Sequence, residues 1–304
     1  MSFAIYEAES RGILSRTSGF IAEAGFTHSL TPARNCTFGC SYCYVPTMGI
    51  YGGLKPGDWK HWGQFTTFKS NAAGLLADAL RSDQAIYCSP LVDPYQPAEE
   101  QAPHMPAILA ALLRTPPGVL AIQTRGPLIL RDLPQLCELS RRTRLRVSFS
   151  ITTDRDDVRR IYEPRCASID QRFETIAALR AAGIDTFAAL APLLPCDPER
   201  LIARAIAATG RDVIGDPFHV RATKRRGATT RGAAERISAK HENDGFEKWH
   251  DPEFQAEVVN RMRRAAEGAG RRFEIGPRGF ARLAQAISPA ARGAKELPQL
   301  TADA

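Results

Sequence analysis

The sequence predicts an α/β protein that folds as a partial, TIM-like (β/α)6 barrel with a small C-terminal helical extension. Three observations favour this fold. Short runs rich in β-branched and aromatic residues alternate with segments of helical periodicity, helix-capping residues stand at several segment ends, and a long loop follows the first run. Since a strand, a helix and a second strand form a βαβ unit, the alternation indicates a mainly parallel sheet.

The predicted barrel consists of six strands and the helices between them. The strands are predicted at residues 26–30, 85–89, 119–124, 146–151, 186–190 and 212–215. The helices are predicted at residues 72–82, 105–114, 133–142, 171–183 and 198–210. Asp197 before a proline is a typical helix N-cap, and Gly183 and Gly210 stand where a left-handed residue commonly ends a helix.

Four segments describe the expected domain organisation. An N-terminal extension over residues 1–24 precedes the barrel, which spans residues 25–220. A basic C-terminal extension follows over residues 221–290 and contains a further helix at 251–268. Residues 291–304 are expected to form a flexible tail.

Composition limits the class of protein. The chain has 304 residues, 44% of them hydrophobic and 24% charged, which is sufficient for a large core. We find neither a signal-peptide pattern nor a long apolar run, so we expect a cytoplasmic protein that does not bind membranes. The formal net charge is +7, and the density of basic residues is highest at 220–240. This basic stretch could contact an anionic partner such as a nucleic acid, or it could be an ordinary solvated surface; the sequence favours neither.

Three of the seven cysteines stand close together in the stretch NCTFGCSYCYV. Cys36, Cys40 and Cys43 have the spacing C-x3-C-x2-C, and such clustering favours reduced, metal-binding thiols over disulfides. Thiolates this close in sequence can converge on one soft metal centre. A closed structural zinc or iron–sulfur site takes four protein ligands, and these three cysteines supply only three of them.

The cysteine spacing, with Tyr42 before the last cysteine, resembles the radical S-adenosylmethionine (SAM) superfamily. This resemblance implies that Cys36, Cys40 and Cys43 bind a [4Fe-4S] cluster whose open iron binds S-adenosylmethionine. It also implies a reductant such as flavodoxin or ferredoxin, and a 5'-deoxyadenosyl radical that abstracts hydrogen from a substrate. The alternative is a zinc site with a distant fourth ligand.

Further segments resemble the spore photoproduct lyase-like branch of that superfamily. Residues 147–184 and 191–196 are similar to its fourth and fifth units, and LVDPYQPAEE at 91–100 is similar to an Asp-Pro-Tyr-Gln-Pro-x-Glu signature of uncharacterised radical enzymes in the branch. The branch implies DNA-lesion repair, with modification of a protein or small metabolite as the alternative. A zinc-stabilised nucleic-acid-binding module is the hypothesis from another class.

The resemblance also implies roles for residues that follow the predicted strands. Arg125 would bind the S-adenosylmethionine carboxylate, since a guanidinium group suits a carboxylate, although it is otherwise a surface arginine. Ser150 and Thr152 would lie near the ribose, or else cap the strand end. Ser89 and Asp93 would hold the methionine amino group, unless Asp93 only initiates a turn.

A second set of residues is expected to support the site. Glu163 and Arg172 match a Glu-Pro motif and the arginine that follows it, and are expected to form an ion pair that organises the site. Phe38 and Tyr42 would pack against the adenine or cover the cluster, with ordinary loop packing as the alternative.

Cys88 is the candidate with the most specific chemistry. It matches the cysteine that returns a hydrogen atom to the product radical in the lyase-like branch, and Tyr42 and Tyr44 match two tyrosines implicated in that relay. The alternative is a buried cysteine that acts as a small hydrophobe. The same packing role is predicted for the remaining cysteines, namely Cys137, Cys166 and Cys196.

Overall fold

The computed structural model of the protein describes residues 2–47, 61–218, 241, 243 and 245–285. Its strands are β1 (Ala4–Ala8), β2 (Leu14–Arg16), β3 (His28–Leu30), β4 (Ala33–Arg34), β5 (Phe65–Lys69), β6 (Ala85–Cys88), β7 (Val119–Thr124), β8 (Arg144–Ser150), β9 (Asp185–Leu193), β10 (Val213–Pro217) and β11 (Phe273–Ile275).

The main sheet has the strand order β11-β10-β9-β8-β7-β6-β3-β2. All neighbours in it are parallel except β2 and β3, which pair antiparallel. In the centre, Leu120 lies opposite both Ile86 and Leu145. The six predicted strands correspond to β3 and β6 to β10, so the prediction of an α/β fold with a partial barrel is confirmed.

The helices are α1 (Gly19–Glu23), α2 (Ala72–Ala79), α3 (Ala98–Gln101), α4 (Met105–Arg114), α5 (Leu133–Arg142), α6 (Asp156–Tyr162), α7 (Ile169–Ala181), α8 (Pro198–Thr209), α9 (Pro252–Gly268) and α10 (Gly276–Phe280). The capping residues behave as the sequence indicates. The Asp197 side chain accepts a hydrogen bond from the Arg200 backbone N–H at 2.9 Å, and Gly210 ends α8 with a φ of 63°.

Alternation along the strands separates two apolar layers. One face of the sheet packs against the helices, where Ile86, Cys88 and Leu120 join Ile108 and Leu109 of α4. On β8, the opposite face carries a series of polar side chains, namely Arg146, Ser148 and Ser150, while the residues between them pack toward the helices. On β8 this alternation gives one apolar face toward the helices and one polar face, whereas on β6, β7 and β9 the second face is largely apolar, with Tyr87, Ala121 and Phe187.

Several short elements were not predicted from sequence. β1, β5 and β4 form a separate three-stranded sheet, in that order. β2 and β11 add to opposite ends of the main sheet, although they lie in the predicted N- and C-terminal extensions. The domain boundaries stay predictions, and both the basic stretch at 220–240 and the tail at 291–304 lie outside the described residues.

Within the part of the chain that the structure describes, every helix is too short or too polar to cross a membrane.

Candidate active site

The predicted site residues gather where the parallel strands end. The cysteine loop comes after β3 and β4, Arg125 directly follows β7, and Ser150 is the last residue of β8. The carboxyl ends of barrel strands are where enzymes with this architecture place their chemistry. The fold therefore brings groups that are distant in sequence to one edge of the sheet.

Two tight turns shape the cysteine loop. The Cys36 carbonyl accepts the Gly39 N–H at 3.2 Å, and the Cys40 carbonyl accepts the Cys43 N–H at 3.1 Å. Gly39 has a φ of 63°, and a Cβ there would stand 2.9 Å from the Cα of Gly63. Only glycine fits this position without strain, because the backbone of residue 63 packs directly against the loop.

Backbone amides point at two of the sulfurs. Burial raises the pKa of the Cys36 thiol, while the N–H groups of Asp93 and Phe38 hydrogen-bond to its sulfur and act in the opposite direction. Burial likewise raises the pKa of Cys43 to about 12, against a hydrogen bond from the Val45 N–H. N–H groups aimed at sulfur favour thiolate, which is the form that binds metal.

Cys40 has the most polar surroundings of the three. Its Sγ lies 4.0 Å from Cys166 Sγ and 3.5 Å from Arg125 Nη1. The hydrogen bond from Cys166, followed by the positive charge of Arg125, lowers the pKa of Cys40 although burial opposes this. Cys40 is therefore the cysteine of the loop that is best prepared to ionise.

Glu163 is the centre of a buried polar network beside this loop. Its Oε1 accepts hydrogen bonds from Tyr42 Oη at 2.5 Å, from Arg125 Nη1 at 2.6 Å and from Thr152 Oγ1 at 2.9 Å. Its Oε2 accepts a hydrogen bond from Arg172 Nη2. The pairing of Glu163 with Arg172 predicted from sequence is thus present in the structure, and Arg125 is a second ionic partner.

The network keeps Glu163 ionised and holds the Arg125 guanidinium in one orientation. Burial by itself would raise the pKa of Glu163, but Arg172 and Arg125 lower it to about 2, so the carboxylate stays ionised. Arg125 also donates to Tyr42 Oη, and its guanidinium lies 5.7 Å from the Tyr42 ring centroid. Arg125 is held beside Cys40, where a planar, bidentate donor can receive an anionic group.

Several buried polar atoms of the cysteine loop and of β8 have no hydrogen-bond partner among the described residues. They include both side-chain amide atoms of Asn35, directly before Cys36, and the hydroxyls of Ser148 and Ser150 on β8. An unsatisfied buried polar atom costs free energy, so such atoms commonly meet a ligand or water. Three sulfurs in one loop and nearby unsatisfied donors fit a metal cluster with an adjacent polar cofactor.

Two predicted residues already have protein partners. The Asp93 carboxylate accepts the Tyr95 N–H at 2.9 Å, the Thr124 hydroxyl at 2.6 Å and the Arg125 N–H at 2.8 Å. The contact with Tyr95, two residues on, supports the turn-forming interpretation of Asp93, and the other two tie it to the end of β7. Ser89 Oγ lies 3.5 Å from Thr31 Oγ1. The proposed contacts of Asp93 and Ser89 with an amino group stay predictions.

The remaining candidates lie in different surroundings. Phe38 is buried in an apolar cluster with Cys36, Cys40 and Tyr42, and the partly buried Cys43 packs against it. The Tyr44 hydroxyl donates to the Pro90 carbonyl at 2.7 Å. Cys88 is 1% exposed and belongs to the layer between sheet and helices. This placement favours the packing interpretation of Cys88, and its role as a hydrogen donor stays a prediction.

Sequence reasoning missed three residues at the site. Ser148 shares a strand face with Ser150, a relation that the period-two alternation in RVSFS could have indicated. Cys166 has no spacing relation to the cysteine loop, so only the fold brings it beside Cys40. His241 Nε2 lies 2.8 Å from Ser41 Oγ, and its ring stacks on Tyr162 with centroids 4.3 Å apart.

A comparison with protein families decides the class of this site. The sequence model described as the radical SAM superfamily matches residues 30–204, more than half of the chain. The chain belongs to the radical SAM superfamily. Members of the superfamily are enzymes that use a [4Fe-4S] cluster and S-adenosylmethionine, which confirms the predicted class and both predicted cofactors. The matched segment contains the cysteine loop, Arg125, Ser150 and Glu163.

Curated relatives of this radical SAM chain carry no assigned function. An uncharacterized protein of Mycobacterium tuberculosis (strain ATCC 25618 / H37Rv) is 31% identical over 176 residues, which are 56% of this chain and 50% of the relative. An uncharacterized protein of Methanocaldococcus jannaschii is 26% identical over 160 residues, or 53% of this chain and 58% of the relative. The aligned part spans about half the length of the relatives.

Solved structures similar to this radical SAM chain include spore photoproduct lyase. A mutant of that lyase superposes with a TM-score of 0.63 at 15% identity, over 89% of this chain and 81% of the lyase. A lyase mutant with bound AdoMet and dinucleoside spore photoproduct gives a TM-score of 0.61 at 15% identity, over 90% and 81%. At this identity the likeness shows a shared fold.

The position of Cys166 beside Cys40 leads to a first prediction. We expect Cys166→Ala to retain the cluster iron, because three cysteines suffice in this superfamily and Cys166 contributes only a weak thiol donor to Cys40. The measurement is iron per protein after anaerobic reconstitution, compared with Cys40→Ala. Iron loss as severe as that of Cys40→Ala would instead identify Cys166 as a fourth ligand.

Proposed function

We propose that this chain binds a [4Fe-4S] cluster through Cys36, Cys40 and Cys43 and uses S-adenosylmethionine to abstract hydrogen from a damaged nucleic acid, as in DNA-lesion repair. The observation that carries the radical chemistry is the convergence of the cysteine loop, Arg125 and unsatisfied polar atoms at the carboxyl edge of the barrel. When bound, the cofactors supply one-electron cleavage to a 5'-deoxyadenosyl radical.

The protein's own residues would hold and orient the cofactors. Arg125, fixed by Glu163 and Tyr42, would bind the S-adenosylmethionine carboxylate with its remaining donors. Ser148 and Ser150 would donate to polar groups of the same molecule. The buried surroundings of the loop would exclude water from the reacting centre.

Two observations support a nucleic-acid substrate. The fold is similar to that of spore photoproduct lyase, one structure of which is complexed with dinucleoside spore photoproduct. The formal net charge of +7 is suited to a polyanion. A lesion within a duplex would have to be extruded to reach the edge of the barrel. A reductant such as flavodoxin or ferredoxin would supply the electron.

An anaerobic assay tests this proposal. The reconstituted protein is mixed with dithionite and S-adenosylmethionine, with ultraviolet-irradiated or unirradiated DNA, and 5'-deoxyadenosine and DNA lesions are measured by mass spectrometry. We expect deoxyadenosine in both mixtures and lesion loss with irradiated DNA. Deoxyadenosine without lesion loss would reject the repair function and favour a protein or small-metabolite substrate. Colourless, zinc-containing protein without deoxyadenosine would reject the radical chemistry.

Cys88→Ala separates the two interpretations of Cys88. Because Cys88 packs between sheet and helices, we expect the variant to form deoxyadenosine and to repair lesions as the wild type does. The measurement is the ratio of repaired lesion to deoxyadenosine. A lower ratio with unchanged deoxyadenosine would establish the hydrogen-donor role.

A further inference from the structure

Gln96 lies in the segment DPYQPAE and is 1% exposed. Its Oε1 accepts two hydrogen bonds from Thr37, one from the backbone N–H at 2.7 Å and one from Oγ1 at 3.1 Å. Its Nε2 donates to Thr66 Oγ1 at 3.2 Å. Gln96 therefore uses both ends of its amide on buried partners, and one partner stands inside the cysteine loop.

The contacts continue around the loop. Thr37 Oγ1 accepts the Ala98 N–H at 3.1 Å, so residue 37 is held by a side chain and a backbone group of the same segment. Thr66 Oγ1 lies 3.1 Å from the carbonyl oxygens of Arg34 and Asn35, directly before the first cysteine. Thr37 and Thr66 are fully buried. The backbone on both sides of Cys36 is thereby fixed from one centre.

The same segment is itself anchored at both ends. At its start, the Asp93 carboxylate accepts the Arg125 N–H at 2.8 Å. At its end, Glu99 Oε1 accepts the Met105 N–H at 2.7 Å and pairs with Arg131 at 2.9 Å. A rigid segment thus connects the cysteine loop to the strand end that carries Arg125.

This arrangement matters because the loop has little regular structure of its own. Bringing three thiolates together confines the backbone and opposes like charges, so a loop without support would sample many conformations. Buried hydrogen bonds that hold the loop in one conformation remove that cost before metal binds. Partners that orient ligands in this way typically affect metal affinity about 10- to 100-fold.

We propose that Gln96 is a positioning residue for the cluster: it holds Thr37 and thereby keeps the Cys36 to Cys40 segment in the cluster-binding conformation. The inference rests on the proposed cluster function of the cysteine loop. The role it assigns to the Asp-Pro-Tyr-Gln-Pro segment is to hold the backbone of the cysteine loop in place through buried hydrogen bonds. Among the hydrogen bonds of the described residues, those of the Gln96 side chain go to Thr37 and Thr66 and none goes to a cysteine sulfur, so Gln96 acts through the loop backbone.

Gln96→Met tests the role with little change in volume, because methionine has a similar length and lacks the amide. Gln84→Met is the matched control. Gln84 is also buried, accepting from the Arg81 N–H and donating to the Ala79 carbonyl at 3.0 Å each, but it lies between α2 and β6. Both variants lose a buried amide, and only one loses a contact with the loop.

Two readouts follow. In reconstituted protein, we expect Gln96→Met to release iron to a chelator about tenfold faster than wild type and Gln84→Met. In cluster-free protein, we expect the Thr37 amide to exchange with deuterium about tenfold faster in Gln96→Met than in Gln84→Met, at matched unfolding free energy. Thr37→Ser, which keeps the hydroxyl, should release iron as slowly as the wild type, whereas Thr37→Val, which loses the hydroxyl, should release it faster.

The outcomes separate this inference from the proposed function. Equal iron release by Gln96→Met and Gln84→Met would overturn the positioning role while leaving the cluster function intact. Equal exchange at Thr37 in the cluster-free variants would overturn it as well. A wild-type protein that holds no cluster under any reconstitution condition would overturn the proposed function and, with it, this inference.

Discussion

Replacement of Cys36, Cys40 or Cys43 by alanine is expected to remove the cluster and reduce 5'-deoxyadenosine formation at least about 100-fold. A ligand contributes more than the groups that orient it, and those already affect metal affinity about 10- to 100-fold. The three cysteines share one loop, and at the first of them burial raises the pKa of the thiol while the amides of Asp93 and Phe38 oppose that rise. Because three cysteines leave one iron of such a cluster without a protein ligand, the loss of any one of them would leave a second iron without a ligand.

The measurement is iron and deoxyadenosine in anaerobically reconstituted variants. Cys137→Ala is the matched control, because Cys137 Sγ contacts only the Ala182 carbonyl, at 3.6 Å, among its hydrogen-bond partners within the described residues. The control should retain both iron and activity. Deoxyadenosine formation by all three loop variants would contradict the assignment of the ligands.

Glu163→Ala is expected to destabilise the cluster-free protein by about 3–5 kcal/mol at neutral pH, as measured by urea unfolding. Glu163 and Arg172 are fully buried, and Arg125 is mostly buried. Removal of the carboxylate leaves two buried guanidinium groups without their shared counter-charge. Tyr42 and Thr152 also lose their acceptor.

Glu138→Ala is the control for the removal of one negative charge from an exposed position. Glu138 forms a 3.5 Å pair with Arg142 on the surface, and such exposed pairs contribute about 0–1 kcal/mol. We expect that variant to unfold within about 1 kcal/mol of the wild type. A loss of no more than about 1 kcal/mol in Glu163→Ala as well would mean that the Glu163 network does not stabilise the fold.

The stability difference should depend on pH in a direction that the Glu163 pKa determines. Burial opposes ionisation, but Arg172 and Arg125 lower the pKa from 4.5 to about 2 on folding. A lowered pKa stabilises the folded state above pH 4.5, and that contribution is lost as the pH falls toward 2. The deficit of Glu163→Ala relative to wild type should therefore shrink across this interval. A constant deficit would show that folding does not lower the pKa of Glu163.

The regular elements were predictable because their signals are local. Helices α4 and α5 have the predicted bounds, and strand β7 does as well, since periodicity and capping residues act within a few positions. The cysteine spacing indicated the metal centre for the same reason. The short strands β2 and β11 were missed because their pairing depends on neighbours far along the chain.

The site itself was predictable only in part. Arg125, Ser150 and Glu163 were identified from a family resemblance, but the contact between Arg125 and Glu163 was not. Glu163 joins Arg125 across 38 positions, and Gln96 joins Thr37 across 59. No local pattern marks such pairs.

The sequence by itself determined the order of strands and helices, the three-cysteine loop and the superfamily. Only the tertiary structure decided that Glu163 pairs with two arginines, that Cys88 packs toward the helices and that Gln96 hydrogen-bonds to Thr37 in the cysteine loop. The physical reason is the separation along the chain over which each interaction acts. Periodicity, caps and ligand spacing act between neighbours in sequence, whereas buried charge pairs and amide contacts depend on which chain segments the packed core brings together.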